Sequence, residues 1–245
     1  MRDGTDAESI DYTIRRSPRA RRVQVRVTAE GVEAVLPARA AEREAAAAVA
    51  ELEPWIARRL AELRAAAEAV ARRGDRVPYL GQMLRLRAEH GRLSVRRSGD
   101  ELLVPAGGDQ EGALERWYRR AARREIEPRL ERACATVGGR YASLSIRGQR
   151  TRWASCSAAG AMSFNWRLLL APEDVLDYVI WHEVCHLEVM DHSPRFWALV
   201  SARCPSWREH AAWLRRHGSE LVLPRWPAPT GGEGQPVVSS RRSAA

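Results

Sequence analysis

Two histidines stand four residues apart in Trp181-His182-Glu183-Val184-Cys185-His186, with a glutamate after the first, and His192 follows six residues after the second. On a helix, residues four apart share a face, so His182 and His186 point the same way. Two imidazoles so placed hold one Zn²⁺, and the intervening glutamate is positioned to take a proton from water. Three neutral imidazoles leave a fourth zinc position open, which is the arrangement of a hydrolytic rather than a structural site. Glu183 points to another part of the helix than its neighbours, so its expected role is general base rather than ligand. His192 is the expected third ligand, with Glu209 and His210 as alternatives from a later segment. Cys134, Cys156, Cys185 and Cys204 are scattered, with no C-x-x-C pair. They form neither a disulfide framework nor a zinc ribbon, and Cys185 reads as a core filler.

Other residues could serve the same chemistry. Tyr178 lies one turn before His182, where its hydroxyl could reach the site or simply pack. Arg152 could present a cation to a developing oxyanion or remain a surface arginine. Asn165, in the stretch Met162-Ser163-Phe164-Asn165-Trp166 just before the histidine helix, is a further candidate contact. If that stretch is an edge strand, an extended peptide could add to it.

These residues need a scaffold. The segment 173–190 predicts a helix, with Val175, Leu176, Val179, Ile180, Val184 and Leu187 at spacings of three and four. It should end near Met190. Ser193 and Pro194 then open a second helix through Phe196, Trp197 and Val200, which puts His192 in the corner between the two. Upstream, alternation at Tyr12 and Ile14, Val23 to Val27 and Val32 to Leu36 predicts three strands. Residues 38–73 read as helical, with Pro54 starting a new helix or kinking the first. Further strands are expected at Tyr79-Leu80, Leu84 to Arg87, Leu93 to Val95 and Leu102 to Val104, making a small antiparallel sheet with a helical excursion. A long helix follows over about Glu111 to Val137, then strands at Ser143 to Arg147, Thr151 to Ser155 and Met162 to Arg167, and a last helix over 206–217. The fold class expected is α+β. The expected domains are 9–106, 107–224 with a zincin-like build, and a disordered tail over 225–245, with the junction at Ala106-Gly107-Gly108-Asp109.

The chain has 245 residues, 45% of them hydrophobic, enough for one large domain or two small ones. No apolar run reaches the roughly 20 residues that cross a bilayer. The polar N-terminal residues 1–8 lack the apolar core of a signal peptide, and cytoplasmic location is expected. The net charge of +9 suggests an anionic partner. All 40 basic residues are arginine, however, as biased codon usage would also produce. Arg15, Arg22 and Arg26 on one strand face and the run from Arg119 to Arg124 are where nucleic acid would dock.

The chain resembles the YgjP-like metallopeptidase domain family, relatives of SprT-type proteins with a zincin-like core. The resemblance rests on Arg150-Thr151-Arg152-Trp153-Ala154-Ser155-Cys156, Asn165-Trp166-Arg167-Leu168, Asp177-Tyr178-Val179, the H-E-x-x-H run, and His192-Ser193-Pro194-Arg195-Phe196-Trp197. It implies zinc on His182, His186 and His192, Glu183 as catalytic base, and a peptide or protein substrate. It leaves two further readings: nucleoside-triphosphate pyrophosphatase activity, attached to a YgjP-type member, and a nucleic-acid-associated protease of SprT type. Two positions depart from the family pattern: Ala154 stands where glycine is usual, and Asp191 where asparagine is usual.

Overall fold

The computed structural model describes residues 10–149 and 151–224. The loose N-terminal stretch expected over 1–8, Arg150 and the tail expected over 225–245 lie outside them. The class is α+β, as expected. No helix among the described residues is long and apolar enough to cross a membrane.

The chain divides into two compact units, one running to Arg73 and joined by Trp213–Val222, the other from Gly74 to Ala212. The junction expected at 106–109 is instead a turn inside the second unit. There Asp109 caps the following helix by accepting from Gly112 N at 2.8 Å, and Gln110 Nε2 donates to Pro105 O. Apolar burial explains the difference, because Leu102, Leu103 and Val104 are buried on the strand that packs against that helix.

The first unit holds β1 (Tyr12–Ser17), β2 (Gln24–Thr28), β3 (Gly31–Pro37), α1 (Glu42–Glu51) and α2 (Glu53–Ala71). Pro54 falls in the first turn of α2, so the expected break occurs at Leu52. Val32, Ala34 and Leu36 from one face of β3 meet Ala45, Val49 and Ile56.

The second unit has two sheets: β4 (Arg76–Tyr79), β5 (Gln82–Glu89), β6 (Arg96–Ser98) and β7 (Glu101–Pro105), then β8 (Ser143–Arg147), β9 (Ala154–Cys156) and β10 (Ala161–Asn165). The single antiparallel N-terminal sheet expected from the sequence is two sheets, and every sheet among the described residues is mixed. The orders are β1-β3-β2, β4-β5-β7-β6 and β8-β10-β9. In each sheet successive strands alternate in direction, but a strand pairs with the one two along, so β1–β3, β5–β7 and β8–β10 are parallel. Side-chain alternation reports which face is buried, not which strand is the neighbour. The strand expected at Leu93 to Val95 lies three residues later, and Leu93 is 97% exposed. β9 begins at Ala154 rather than Thr151, and β10 ends at Asn165, where a 3₁₀ turn, Trp166–Leu170, takes over.

The β4–β5 hairpin turns on Leu80 (φ 48°) and Gly81 (φ 84°), two consecutive left-handed residues, as a two-residue type I′ turn requires. Leu80 N donates to Leu169 O at 2.8 Å and ties that turn to the 3₁₀ segment.

The centre of the second unit is α3 (Gln110–Thr136), whose Leu114, Trp117, Tyr118, Ala121, Ile126, Leu130 and Ala133 form a buried stripe at helical spacing. Tyr118 is wedged among Tyr79, Trp117 and Trp166, and its hydroxyl donates to Pro78 O at 2.6 Å. Against α3 packs α4 (Glu173–Cys185), followed by α5 (Pro194–Arg203) and α6 (Trp207–His217). Arg129 fastens α3 to α4: it reaches Glu125 on its own helix, and Glu173 and Asp177 (3.3 Å) on α4.

Candidate metal centre

α4 is apolar on several sides because it is inserted between α3 and the third sheet, with Val175, Leu176, Val179, Ile180 and Val184 all buried. It stops at Cys185, five residues before the expected end at Met190. The chain tightens there through His186 N→Glu183 O, Leu187 N→Val184 O and Glu188 N→Cys185 O, the shorter bonds that often close a helix. His186 therefore caps the helix instead of lying inside it, and its ring reaches forward, with Nδ1 3.0 Å from Val189 O. The chain then turns at Asp191, whose Oδ1 accepts from Ser193 N at 3.0 Å. Ser193 is the N-cap of α5 and Pro194 its first residue, as expected, but no side chain caps the helix; the Asp191 bond fixes the turn that leads into it. That turn returns His192 to α4.

His182, His186 and His192 converge, each offering a ring nitrogen, with these atoms within 4.8 Å of one another. His182 Nε2 and His192 Nε2 are 3.1 Å apart. The Val189 carbonyl requires a proton on His186 Nδ1, which leaves its Nε2 as a lone pair. Burial, then the neighbouring His186 and His192, push the His182 ring down to about 4, and burial also lowers His186. Both stay neutral at physiological pH, as metal ligands must. His182 Nδ1 is buried without a hydrogen-bond partner among the described residues. Three uncharged imidazoles facing one point fit a divalent metal of borderline softness, zinc above all.

Phe196 is fully buried beneath the three rings, its centroid 4.9 Å from His182, 4.4 Å from His186 and 4.8 Å from His192. Trp197 lies 5.7 Å from both His182 and His192 and stacks on Trp207 at 4.3 Å. Sequence reasoning puts Phe196 and Trp197 on the second helix without giving them a part in the site. Their spacing of four and five from His192 is the available signal.

Glu183 is 5% exposed. Burial pushes its carboxyl up to about 7, against the opposing pull of the Cys156 backbone N–H. A carboxylate tuned to neutrality suits proton transfer at physiological pH. The Cys156 contact, which sequence reasoning misses, ties the α4 glutamate to the end of β9.

The remaining candidates stand elsewhere. Tyr178 is buried, its ring 6.1 Å from both His182 and His210. Asn165 is committed to the backbone: Nδ2 donates to Gln149 O and Arg152 O, and Oδ1 accepts from Arg167 N. It shapes the loop before β9. Arg152 is exposed on that loop. His210 lies 3.7 Å from Asp174, and neither it nor Glu209 belongs to the histidine cluster. The strand expected to accept a peptide, β10, is the central strand of its sheet, so both its edges are taken; β9 is the edge strand beside α4. Ala154 sits in register opposite Phe164 in an intact ladder. Several of the arginines expected to meet phosphates are paired, Arg15 with Glu33, Arg119 with Glu115 and Arg123 with Glu127.

Three convergent imidazoles, with the buried Glu183 following His182 in the chain, are a donor set suited to a divalent metal. The sequence profile of the YgjP-like, metallopeptidase domain family matches residues 21–217, and the chain belongs to that family. Among solved structures, it is similar to the metallopeptidase zymogen abylysin of Pyrococcus abyssi, with 25% identity, a TM-score of 0.33, and coverage of 37% of this chain and 96% of that one. It is also similar to the metallopeptidase zymogen jannalysin of Methanocaldococcus jannaschii, with 16% identity, a TM-score of 0.32, and coverage of 36% and 94%. No curated protein matches the chain in sequence.

Proposed function

We propose that the chain is a zinc-dependent peptidase in which His182, His186 and His192 hold the metal and Glu183 is the general base. The observation that carries this is the convergence of three ring nitrogens within 4.8 Å next to a buried carboxyl raised to about 7. Zinc, when bound, supplies Lewis acidity toward water and a substrate carbonyl. Glu183 accepts a proton from the attacking water and delivers it to the leaving amine. The Cys156 N–H orients the carboxylate for that transfer, and Phe196 and Trp197 pack against the histidine rings and hold them in position. The edge strand β9, which ends beside Glu183, favours an extended peptide as substrate, since a free strand edge recognises main chain.

The test is metal analysis with a paired substrate screen. Protein purified without added metal should carry about one zinc per chain. It should cleave casein or model peptides, and Glu183→Gln should abolish that activity. Release of phosphate or pyrophosphate from nucleotides, with no peptide cleavage, would replace the peptidase reading by nucleotide hydrolysis.

A further inference from the structure

β10 occupies one edge of β9, and the alternation of the ladder decides what the other edge offers. Asn165 N donates to Trp153 O at 2.7 Å, and Ser157 N donates to Ala161 O at 3.0 Å. Trp153 and Ser157 therefore turn their main-chain groups toward β10. In an antiparallel ladder such residues alternate with ones whose N–H and C=O point the other way. Ala154 and Cys156, opposite Phe164 and Met162, are those residues. The Cys156 N–H follows the rule, since it goes to Glu183 on α4. The outer edge is left with the N–H and C=O of Ala154 and the C=O of Cys156, and none of these meets a further backbone partner among the described residues. An extended peptide added here would place both of its main-chain bonds on Ala154, with the bond to be cut toward Glu183.

The far end of the same edge carries a cation. Arg152 is exposed two residues before Ala154. Its guanidinium has neither a carboxylate nor a hydrogen-bond acceptor among the described residues. Its main chain, by contrast, is pinned: the buried Asn165 donates Nδ2 to Arg152 O at 3.3 Å and to Gln149 O at 2.7 Å. The backbone that carries this charge is thus fixed relative to β9 before any substrate arrives. Four residues of nearly extended chain separate Arg152 from Cys156, about 13 Å at roughly 3.3 Å per residue. That distance removes Arg152 from the oxyanion its residue type suggests it might serve and puts it beside a substrate side chain instead.

The geometry points to Arg152 as a specificity residue that binds a carboxylate side chain of the substrate, about four residues from the bond that is cut. The inference rests on the peptidase reading above and narrows its substrate class to acidic peptides. The occupant is a peptide because the groups beside the arginine are a main-chain donor and acceptor at strand spacing. The net charge of +9 favours approach of an acidic chain in the same sense. An exposed guanidinium supplies discrimination between substrates more than it supplies affinity.

Casein digested by the zinc-loaded full chain is sequenced to locate a cut bond, and short fluorogenic peptides are built around that bond. In an otherwise uncharged sequence, a single Glu, Gln or Arg is moved along both sides of it. Glu at the fourth position on one side should raise kcat/KM about two- to fivefold over Gln, the scale of an exposed ion pair, and Arg there should lower it. The side on which this happens gives the direction in which the peptide lies on β9. Arg152→Glu should invert the order and favour Arg. Arg152→Gln should flatten it, and it decides the matter if the glutamate variant folds poorly. An arginine with only a structural part would lower cleavage of all three peptides alike. Cleavage without a charge preference, or a preference that both variants leave unchanged, overturns the assignment while the peptidase reading stands. No cleavage of casein or of any peptide overturns both.

Discussion

Phe196 and His186 are stacked, their rings 23° from parallel with centroids 4.4 Å apart. The phenylalanine is fully buried and the histidine is the C-cap of α4, so this contact sets where the α4 ligand pair ends. Phe196→Ala should cost about 3–5 kcal/mol as a buried aromatic truncation. Zinc affinity should fall as well, by the roughly 10–100-fold typical of losing support behind a ligand. Phe196→Leu should be milder in both. Denaturant melts of the metal-free protein, alongside competition with a zinc chelator, separate the two effects. Unchanged zinc affinity in Phe196→Ala would show that the stack does not hold the ligand.

The identity of the third ligand is tested by three single variants. His192→Ala should weaken zinc binding by more than the loss of any outer support, while Glu209→Ala and His210→Ala should retain it, since neither residue joins the cluster. His210→Ala removes the partner of Asp174 and the neighbour of Tyr178, so a modest loss of stability is expected there. Metal content after dialysis decides; zinc retained by His192→Ala would reassign the ligand set.

Arg129 tests how the scaffold aims α4. Its side chain is 15% exposed and serves three carboxylates, two of them on α4. Burial raises the Asp177 carboxyl, and Arg129 is the main charge pulling it back. Arg129→Met leaves the half-buried Asp177 without its nearest cation, and should cost about 1–3 kcal/mol, less than a fully buried pair because Glu173 and Asp177 are half exposed. Zinc content should be retained. Asp177→Asn in the Arg129→Met background should restore part of the loss, and a double-mutant cycle with zero coupling would dismiss the clamp.

The histidine site is legible in the sequence because helical periodicity and ligand spacing are local. His182, Glu183 and His186 occupy one turn, and the Ser193-Pro194 start forces a corner at His192. The long α3 is equally plain: it spans Gln110–Thr136, within a residue at each end of the expected Glu111 to Val137. Sheet order is not legible. Strand alternation carries no information on partners, so the central place of β10 and the parallel β1–β3 pair stay hidden. The early end of α4 escapes because Leu187 continues the apolar rhythm, while the stop is set by the His186 bond to Val189 O. Residues acting through backbone groups, such as Cys156 N–H on Glu183 or Asn165 on the loop carbonyls, leave no mark in residue type or spacing.

Keeping Glu183 buried has a cost that pH exposes. In the metal-free protein its carboxyl sits at about 7, whereas an unfolded chain leaves it near the ordinary 4.5. The folded state therefore holds a proton that the unfolded state has released between those two values. The contribution of Glu183 to stability is greatest below about 4.5 and is lost as pH rises to 7, because the unfolded chain ionises freely there and the folded one does not. Glu183→Gln cannot ionise and loses this slope. With zinc removed from both proteins, the variant should match the parent at pH 4.5. At pH 8 it should exceed the parent by roughly 3 kcal/mol, since each tenfold difference in proton affinity between the two states is worth about 1.4 kcal/mol. Urea melts across that range measure the difference directly. A parent as stable as the variant at pH 8 would mean that Glu183 ionises without penalty, and the tuned base proposed for the reaction would lose its physical ground.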